Sequence, residues 1–378
     1  MNRRTFLRAA TAGAGALAVG GAVAWYGFRD DHEPAAPGAV STGRRWRVPL
    51  PDEPDALLLA GDTLLALGRT LSAYGAGDGA VRWRQDLGRN TVQTSRAGDA
   101  PIRVAGDGFV LRTQEGGAGE VRVAALADGT PRWRRALPGY VGDLVLTEQG
   151  TVVTVADGPG GADGSGGRGL LGFSGPADAW RQPVQAGDGP FDLLAAGGTI
   201  FAAARELAAH DAATGARRWG VAAPEGHVFG RPVVLGSLLV VLGMRYVDDD
   251  YLYRNESVHA FDAATGQVRW RYDAPAGFLA DGAPLLTGRG IVAVHENGTL
   301  TGLDPDRGAE RWSFDWDFAD IVAAGDRVFV ATTDGVAIVD PVTGQRDTQL
   351  DEPNAFRLAG SGSRLCVAAG STLTAYDL

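Results

Sequence analysis

The sequence predicts an all-β fold, an eight-bladed β-propeller of four-stranded antiparallel blades. First, a motif that joins a tight turn to a tryptophan recurs along the chain with a spacing of about 43 residues, which is typical of propeller blades. Second, an apolar hairpin precedes each copy of the motif. Third, the propeller segment begins and ends with single strands, and pairing them would complete the eighth blade.

The motif is clearest at residues 257–275, SVHAFDAATGQVRWRYDAP. A short strand ends at Asp262, and Gly266 supplies the positive φ that closes the turn before the next strand. Trp270 follows Gly266 by four residues, and other copies keep this spacing. They are Gly79 and Trp83, Gly129 and Trp133, Gly215 and Trp219, and Gly308 and Trp312. Trp46 and Trp180 mark irregular copies, and Thr348 replaces the tryptophan in a further one.

The apolar hairpin before each motif supplies two more strands. Residues 320–332 read DIVAAGDRVFVAT, with a turn around Gly325. Equivalent turns are expected near Gly61, Gly106, Gln149, Gly197, Gly236, Gly288 and Gly362. The hairpin therefore gives strands A and B of each blade, and the motif gives strands C and D.

The two ends of the propeller segment complement each other. Residues 372–378, TLTAYDL, resemble a C strand without a D strand, and residues 41–50, STGRRWRVPL, resemble a D strand without a C strand. Pairing them closes the propeller and leaves no free sheet edge, which removes an aggregation hazard. Residues 43–378 are therefore predicted to form one domain.

The N-terminal region is predicted to direct export. RRTFLR at residues 3–8 resembles a twin-arginine signal, and AVA at 22–24 offers a cleavage site, so residues 1–24 are assigned as a signal peptide. The alternative is an uncleaved anchor, because residues 9–28 approach the length of a membrane helix. Residues 25–42 form a Pro/Ala-rich linker. The protein is expected outside the cytoplasm, secreted or held at the outer face of the cytoplasmic membrane.

The motif copies DAATGARRW and DAATGQVRW, and more loosely DPDRGAERW, resemble the repeat of the PQQ-like β-propeller family. The resemblance covers roughly residues 43–378. The family includes eight-bladed quinoprotein dehydrogenases and the outer-membrane assembly lipoprotein BamB. The resemblance implies that the repeat tryptophans dock between neighbouring blades. The residues interpreted as structural are Trp46, Trp83, Trp133, Trp180, Trp219, Trp270 and Trp312, with Gly79, Gly129, Gly215, Gly266 and Gly308.

Composition and motifs argue against several chemistries. The net charge of −10 disfavours nonspecific binding to nucleic acid or anionic membranes. Cys366, the one cysteine, is predicted to be an apolar core residue, and a single cysteine excludes an internal disulfide. The family's alcohol dehydrogenases stack their quinone on a disulfide between adjacent cysteines, so no cofactor is predicted. Asp248–Asp250 is interpreted as a solvated loop rather than a calcium site. No metal site or catalytic residue is assigned.

Extra residues concentrate in three B–C turns, at residues 112–120, 156–169 and 243–256, in the second, third and fifth blades. B–C turns open on the same side as D–A connectors, so one side of the propeller is predicted to be elaborated. Loops on a rigid scaffold commonly carry function, and exposed aromatic side chains suit protein contacts. The candidate partner-binding residues on this side are Tyr246, Tyr251, Tyr253, Phe278, Trp316 and Phe318.

These observations predict an exported, monomeric, non-catalytic scaffold that binds a protein or another cell-envelope component. The resemblance to BamB implies a role in envelope protein assembly. One alternative is an enzyme with a site in the central funnel, either a quinoprotein-like oxidoreductase or a hydrolase. Another is an extracytoplasmic sensor module, because propellers of this kind also occur attached to bacterial kinases.

Overall fold

The strands of the computed structural model form eight antiparallel sheets, seven of four strands and one of five, in which the first strand of the blade is broken into two. Eight such sheets make the chain an eight-bladed β-propeller, which confirms the predicted fold class. Strands and turns, and no helix, make up the part of the chain that the structure describes. This part comprises residues 43–87, 102–115, 118–137, 141–148, 150, 152–156, 169–175, 177–183, 192–247, 252–278, 285–294, 299–316 and 318–378.

The first half of the chain supplies β1 (Gly43–Pro49) and four blades. Blade 1 contains β2 (Ala56–Ala60), β3 (Thr63–Leu67), β4 (Thr70–Gly75) and β5 (Val81–Asp86). Blade 2 contains β6 (Ile102–Ala105), β7 (Gly108–Glu115), β8 (Ala118–Ala125) and β9 (Pro131–Leu137). Blade 3 contains β10 (Val141–Leu146), β11 (Val152–Ala156), β12 (Gly169–Ser174) and β13 (Ala177–Pro183). Blade 4 contains β14 (Asp192–Ala196), β15 (Thr199–Ala203), β16 (Glu206–Asp211) and β17 (Arg217–Ala222).

The second half supplies the other four blades. Blade 5 contains β18 (His227–Phe229), β19 (Val233–Leu235), β20 (Leu238–Val247), β21 (Leu252–Asp262) and β22 (Val268–Phe278). Blade 6 contains β23 (Leu285–Thr287), β24 (Gly290–Val294), β25 (Thr299–Leu303) and β26 (Glu310–Asp315). Blade 7 contains β27 (Asp320–Ala324), β28 (Arg327–Thr332), β29 (Gly335–Val339) and β30 (Arg346–Leu350). Blade 8 contains β31 (Ala355–Ser361), β32 (Arg364–Ala369), β33 (Thr372–Asp377) and β1.

Strand A of blade 5 is interrupted. Both β18 and β19 pair with β20, and Pro232 lies in the break between them. Proline has no backbone N–H to donate to a neighbouring strand, so a break in the pairing at this position follows from the sequence.

The chain divides into two compact units. One comprises residues 1–86, 96–98 and 284–378, and therefore holds blades 1, 6, 7 and 8. The other comprises residues 87–95 and 99–283, and holds blades 2 to 5.

Blade 8 is built from both ends of the propeller segment. β1 pairs antiparallel with β33, from Gly43 opposite Asp377 to Pro49 opposite Thr372. The pairing continues beyond the strands, because the N–H of Leu50 donates to the carbonyl of Ser371 at 2.8 Å. The predicted closure by the two ends is confirmed.

Burial follows the order of the strands within a blade. Strands β2 and β3 are buried at every residue, whereas β5, the D strand of the same blade, alternates between exposed and half-buried positions. Strands covered on both faces carry continuous apolar sequence, and a strand with one solvated face alternates. In blade 1 the A and B strands therefore supply the core, and the D strand presents side chains to solvent.

Residues 1–42, which include the predicted signal peptide, linker and possible anchor, lie outside the described residues. Within the part that is described, no helix has the length and apolar character needed to cross a membrane.

Candidate functional site

Four repeat tryptophans join their own blade to the C–D turn of the next one. In each case the indole Nε1 donates to the main-chain carbonyl of the turn's second residue, at 2.9 to 3.2 Å. The pairs are Trp46 with Ala76, Trp180 with Ala212, Trp219 with Ala263, and Trp312 with Pro341. The indole hydrogen bonds thus connect successive blades within each unit.

The turn glycine is required for two separate reasons. Gly79 and Gly266 have φ values of +71° and +72°, a region that side-chain-bearing residues rarely adopt. A Cβ on Gly79 would also lie 2.8 Å from the ring of Trp46, and one on Gly266 would lie 2.6 Å from the ring of Trp219. The glycine therefore closes its own turn and leaves room for the tryptophan of the preceding blade.

The remaining tryptophans and glycines of the predicted structural set also lie in these elements. Trp83 lies on β5, Trp133 on β9 and Trp270 on β22. Gly129, Gly215 and Gly308 have φ values of +72°, +72° and +65°, as the turn requires. A Cβ on Gly215 would lie 2.5 Å from the ring of Trp180.

The charged residues of the motif hold the turn together. Oδ1 of Asp262 accepts hydrogen bonds from the N–H groups of Ala264 and Thr265, and Oδ2 accepts one from Arg269 at 2.5 Å. These hydrogen bonds, led by the one from Arg269, hold the pKa of Asp262 below its usual range. In blade 4, Asp211 has the same partners in Arg218 and Thr214, which lower its pKa to about 2. The motif side chains are thus engaged in the scaffold.

Blade 5 departs from the other blades in strand length. β20 has 10 residues and β21 and β22 have 11 each, whereas β15, β16 and β17 of blade 4 have 5, 6 and 6. The blade-five extension is defined here as residues 243–247 of β20 paired with residues 252–257 of β21. Its register places Tyr246 opposite Tyr253 and Val247 opposite Leu252. The predicted insertion at 243–256 is therefore largely strand, because aromatic and β-branched residues favour strands.

The described residues include only part of the predicted tyrosine cluster. Tyr251 and Asp248–Asp250 lie outside the described residues. The backbones of Tyr246 and Tyr253 lie in the blade-five extension, and Phe278 ends β22 opposite Asn255. The backbone of these three aromatic residues therefore belongs to one continuous sheet.

A group of polar side chains lies at the base of the blade-five extension. The carboxylate of Glu256 lies 3.7 Å from Nε2 of His227 and 3.9 Å from a guanidinium nitrogen of Arg245. Next to it, the hydroxyl of Ser257 and Nε2 of His259 are 2.8 Å apart. Burial lowers the pKa of His259 to about 4, so the imidazole is neutral at physiological pH.

Ser257 and His259 have the chemical groups of a catalytic nucleophile and its general base. Neither group is accessible to a substrate. Ser257 is fully buried and His259 is 7 % exposed. The ring of His259 packs against Phe229 and Phe261, at centroid distances of 5.4 and 6.2 Å. A substrate cannot reach Ser257 in this arrangement, so the hydrogen bond serves the core of blade 5.

Three aromatic residues form a column along β26 and the residue after it, and a guanidinium caps the column. We call Trp312, Phe314, Trp316 and the guanidinium of Arg346 the aromatic column. The rings of Trp312 and Phe314 stack with centroids 4.8 Å apart, and those of Phe314 and Trp316 are 5.4 Å apart. Arg346 of blade 7 lies 3.7 Å above the ring of Trp316. Trp316 is half-buried, and its face is occupied by a cation of the same chain.

Sequence reasoning singled out Trp316 and Phe318 but missed Phe314 and Arg346. The alternation in WSFDW, at residues 312–316, places the three aromatic residues on one face of a strand, so Phe314 could have been predicted from the sequence. The position of Arg346 depends on how blades 6 and 7 pack and has no local signal. Phe318, also half-buried, follows in the connector to blade 7.

The chain cannot form the disulfide on which the family's alcohol dehydrogenases stack their quinone. Cys366 is fully buried in β32, where burial raises the pKa of its thiol to about 12, and the chain has no second cysteine to form a disulfide. Among the residues described, no three His, Cys, Asp or Glu side chains converge as metal ligands would.

The eight blades, together with tryptophans that dock on the turns of neighbouring blades, define a β-propeller of the PQQ-like class. The chain belongs to the family described as outer membrane protein assembly factor BamB, whose family model matches residues 67–175, 174–313 and 242–377.

Comparison with solved structures gives the same architecture. BamB from Moraxella catarrhalis matches with a TM-score of 0.64 and 15 % identity, over 90 % of this chain and 98 % of that one. The quinohemoprotein alcohol dehydrogenase ADHIIG from Pseudomonas putida HK5 matches with a TM-score of 0.58 and 12 % identity, over 89 % of this chain and 76 % of that one. At these identities the likeness establishes the fold alone.

One curated relative is more similar in sequence but much longer. The serine/threonine-protein kinase AfsK from Streptomyces griseus is 33 % identical over 178 residues, which cover 44 % of this chain and 20 % of the kinase. The matched part of this chain thus spans about a fifth of the length of that relative.

Proposed function

We propose that this protein is an exported, non-catalytic scaffold that binds a protein partner of the cell envelope. Membership of the BamB family supports a protein-binding scaffold. The observation that carries the proposal is the blade-five extension, in which β20 and β21 continue past the length of strands in the other blades. The scaffold itself does not require this extra length, because blade 4 is complete with 5 to 6 residues per strand.

The composition of the extension suits a protein interface. Its register places Tyr246 opposite Tyr253, and tyrosine is enriched where protein interfaces are buried. At its base, Arg245 and Glu256 supply charged groups and His227 a polar imidazole, and polar groups commonly surround such a centre. We therefore assign Tyr246, Tyr251 and Tyr253, with Phe278 on the adjoining strand, as the first contact region.

The aromatic column supplies a second candidate contact. Trp316 is half-buried beneath Arg346, and the exposed guanidinium can pair with a carboxylate while the ring retains its apolar contact. Trp316 and Phe318 are assigned to this region.

The N-terminal sequence supports export. We assign residues 1–24 as a twin-arginine signal, residues 25–42 as a linker and residues 43–378 as the propeller, which acts as a monomer outside the cytoplasm. Whether residues 9–28 remain as a membrane tether is tested by the N-terminal sequence of the exported protein.

Site-specific photocrosslinking in the native host tests the binding surface. A photoreactive phenylalanine analogue is placed at Tyr253, and at Gln267 as the matched control, because Gln267 is an exposed residue in the C–D turn at the other end of the same blade. A discrete protein adduct is expected from position 253 and not from position 267. No adduct from 253, or equal adducts from both positions, would contradict the proposal.

The identity with part of a protein kinase supports a second candidate, an extracytoplasmic sensor module. A sensor is expected to bind a small ligand directly, so its melting temperature should rise with a fraction of the host's small-molecule extract. The scaffold proposal expects no such rise. The oxidoreductase alternative is tested in the same assay with PQQ and calcium, for which we also expect no rise.

A further inference from the structure

A cavity of about 150 Å³ lies between blades 2 and 3. One wall is the indole of Trp133, and Val123 and Leu146 supply further apolar surface. Asp107, Arg132 and Glu148 form the polar rim. We call this cavity the Trp133 pocket. Its volume is many times the roughly 15 Å³ that one water molecule needs, so it has room for a side chain.

The C–D turn of blade 3, the blade that follows Trp133, is shorter than that of blade 1. In blade 1, six residues (75–80) separate the partners Tyr74 and Val81. In blade 3, four residues (174–177) separate the partners Phe173 and Asp178, and the outer two of these pair with each other. Trp180 follows Gly175 by five residues instead of four, as the irregular copy in the sequence indicates.

The glycine of the shorter turn does not pack against Trp133 as the glycines of other C–D turns pack against their repeat tryptophans. A Cβ on Gly79 or Gly266 would touch the indole of the preceding blade, whereas one on Gly175 would meet nothing within 4 Å. Trp46 and Trp219 donate from Nε1 to the neighbouring turn, at 2.9 and 3.1 Å. Within the described residues, Trp133 makes no such hydrogen bond.

The charges on the rim favour a cation. Both carboxylate oxygens of Asp107 accept hydrogen bonds from Arg132, at 2.9 and 2.6 Å, so these two charges offset each other. Glu148 is exposed at the rim and adds a further negative charge. A planar guanidinium stacks on an indole and pairs with a carboxylate at the same time, and the Trp133 pocket offers both groups.

The same interface already holds one guanidinium on an aromatic ring. Arg135, two residues beyond Trp133 on β9, lies 4.4 Å from the ring centroid of Phe173 on blade 3. The packing between blades 2 and 3 is therefore wide enough for an arginine against an aromatic face.

We propose that the Trp133 pocket binds an arginine side chain presented by a protein partner. The pocket lies at the A–B and C–D turns, whereas the contact region proposed above lies at the B–C end of blade 5. The two sites can therefore be tested independently.

Fluorine NMR of the full chain labelled with 5-fluorotryptophan tests the proposal. Trp133→Phe assigns the signal of Trp133, since it removes that signal from the spectrum. The probe is arginine blocked as N-acetyl methylamide, and the matched control is the citrulline analogue, which keeps the shape but lacks the charge. The expected result is a saturable shift of the Trp133 signal with arginine and none with citrulline, while the Trp219 signal stays unchanged.

Charge reversal at the rim provides a second measurement. Glu148→Lys is expected to weaken arginine binding at least about fivefold, because it replaces an attraction with a repulsion. Asp326→Lys, in the exposed A–B turn of blade 7, changes the net charge equally and should leave the affinity unchanged. The proposal would be overturned if the Trp133 signal responded equally to the arginine and citrulline probes, or to neither. Equal losses of arginine affinity in Glu148→Lys and Asp326→Lys would also overturn it.

Discussion

The hydroxyl of Tyr376 donates a hydrogen bond to the carboxylate of Glu352 at 2.7 Å. Glu352 is fully buried, and its other carboxylate oxygen accepts a hydrogen bond from Arg47 at 3.2 Å. Tyr376 lies on β33 and Arg47 on β1, the strands from the two ends of the propeller segment. A single carboxylate in the connector before blade 8 therefore holds both of these strands.

Replacing Glu352 is expected to destabilise blade 8. Glu352→Ala leaves the buried hydroxyl of Tyr376 without its acceptor and removes the carboxylate that pairs with Arg47, so we expect a loss of about 2–3 kcal/mol in the free energy of unfolding. Denaturant unfolding measures this loss. Asp351→Ala, at the exposed neighbouring position, should change stability by less than about 0.5 kcal/mol. Equal effects of the two substitutions would show that the carboxylate of Glu352 has no special role.

The thiol of Cys366 reports the opening of blade 8. It is fully buried in β32, and burial raises its pKa to about 12, so thiol reagents should modify it only when the blade opens. Labelling of the folded protein should therefore be slow, and Glu352→Ala should accelerate it. A cysteine introduced at the exposed Gln349 should react at once. Rapid modification of Cys366 in the folded protein would rule out the buried position.

His259 should make stability depend on pH. Its pKa is about 4 in the fold, against 6.5 in the unfolded chain, so only the unfolded chain takes up a proton between these values. The contribution of the neutral, buried His259 to the free energy of unfolding is complete above pH 6.5. It falls by about 3 kcal/mol as the pH drops towards 4. The double variant Ser257→Ala/His259→Phe should lose this part of the dependence, as measured by unfolding at pH 7 and pH 4.5. An unchanged pH dependence would contradict the assignment.

The two roles of the turn glycine can be separated by substitution. Gly236 lies in the A–B turn of blade 5, and a Cβ there would have nothing within 4 Å. Gly236→Ala should therefore lower the free energy of unfolding only through the strain of positive φ, by about 1–2 kcal/mol. Gly266→Ala meets that cost and also forces the ring of Trp219 to move, which adds about 1–3 kcal/mol. Thermal and denaturant unfolding should rank the variants in that order. Equal losses of stability in the two variants would mean that the packing of the Trp219 indole does not require a glycine at position 266.

Much of the fold was accessible from the sequence because the turns have strong local signals. Asp262 and Gly266 specify their turn by their own hydrogen bonds and φ, so the spacing of such residues predicted the blades and their closure. The loss of the tryptophan at Thr348 also has an explanation. Thr348 lies on β30 of blade 7, and the next blade has no C–D turn to receive an indole, since its C and D strands, β33 and β1, come from opposite ends.

Other features depend on pairing or packing that no local pattern records. The short turn of blade 3 follows from Phe173 pairing with Asp178. Glu352 lies in an unremarkable connector, DEPN, and becomes buried only because β1 and β33 meet beside it. Arg346 reaches Trp316 only through the packing of blades 6 and 7.

Every surface described above depends on the closure of blade 8 by the two ends of the propeller segment, and a disulfide tests this most directly. In a Cys366→Ser background, Gly43→Cys and Asp377→Cys place cysteines at positions whose Cα atoms are partners in the β1–β33 pair. The control pairs Gly43→Cys with Ser371→Cys, at the other end of β33. Mass spectrometry after mild oxidation should show a disulfide within one chain for the 43–377 pair and none for the 43–371 pair. No disulfide in the first variant, or equal yields in both, would contradict the closed propeller.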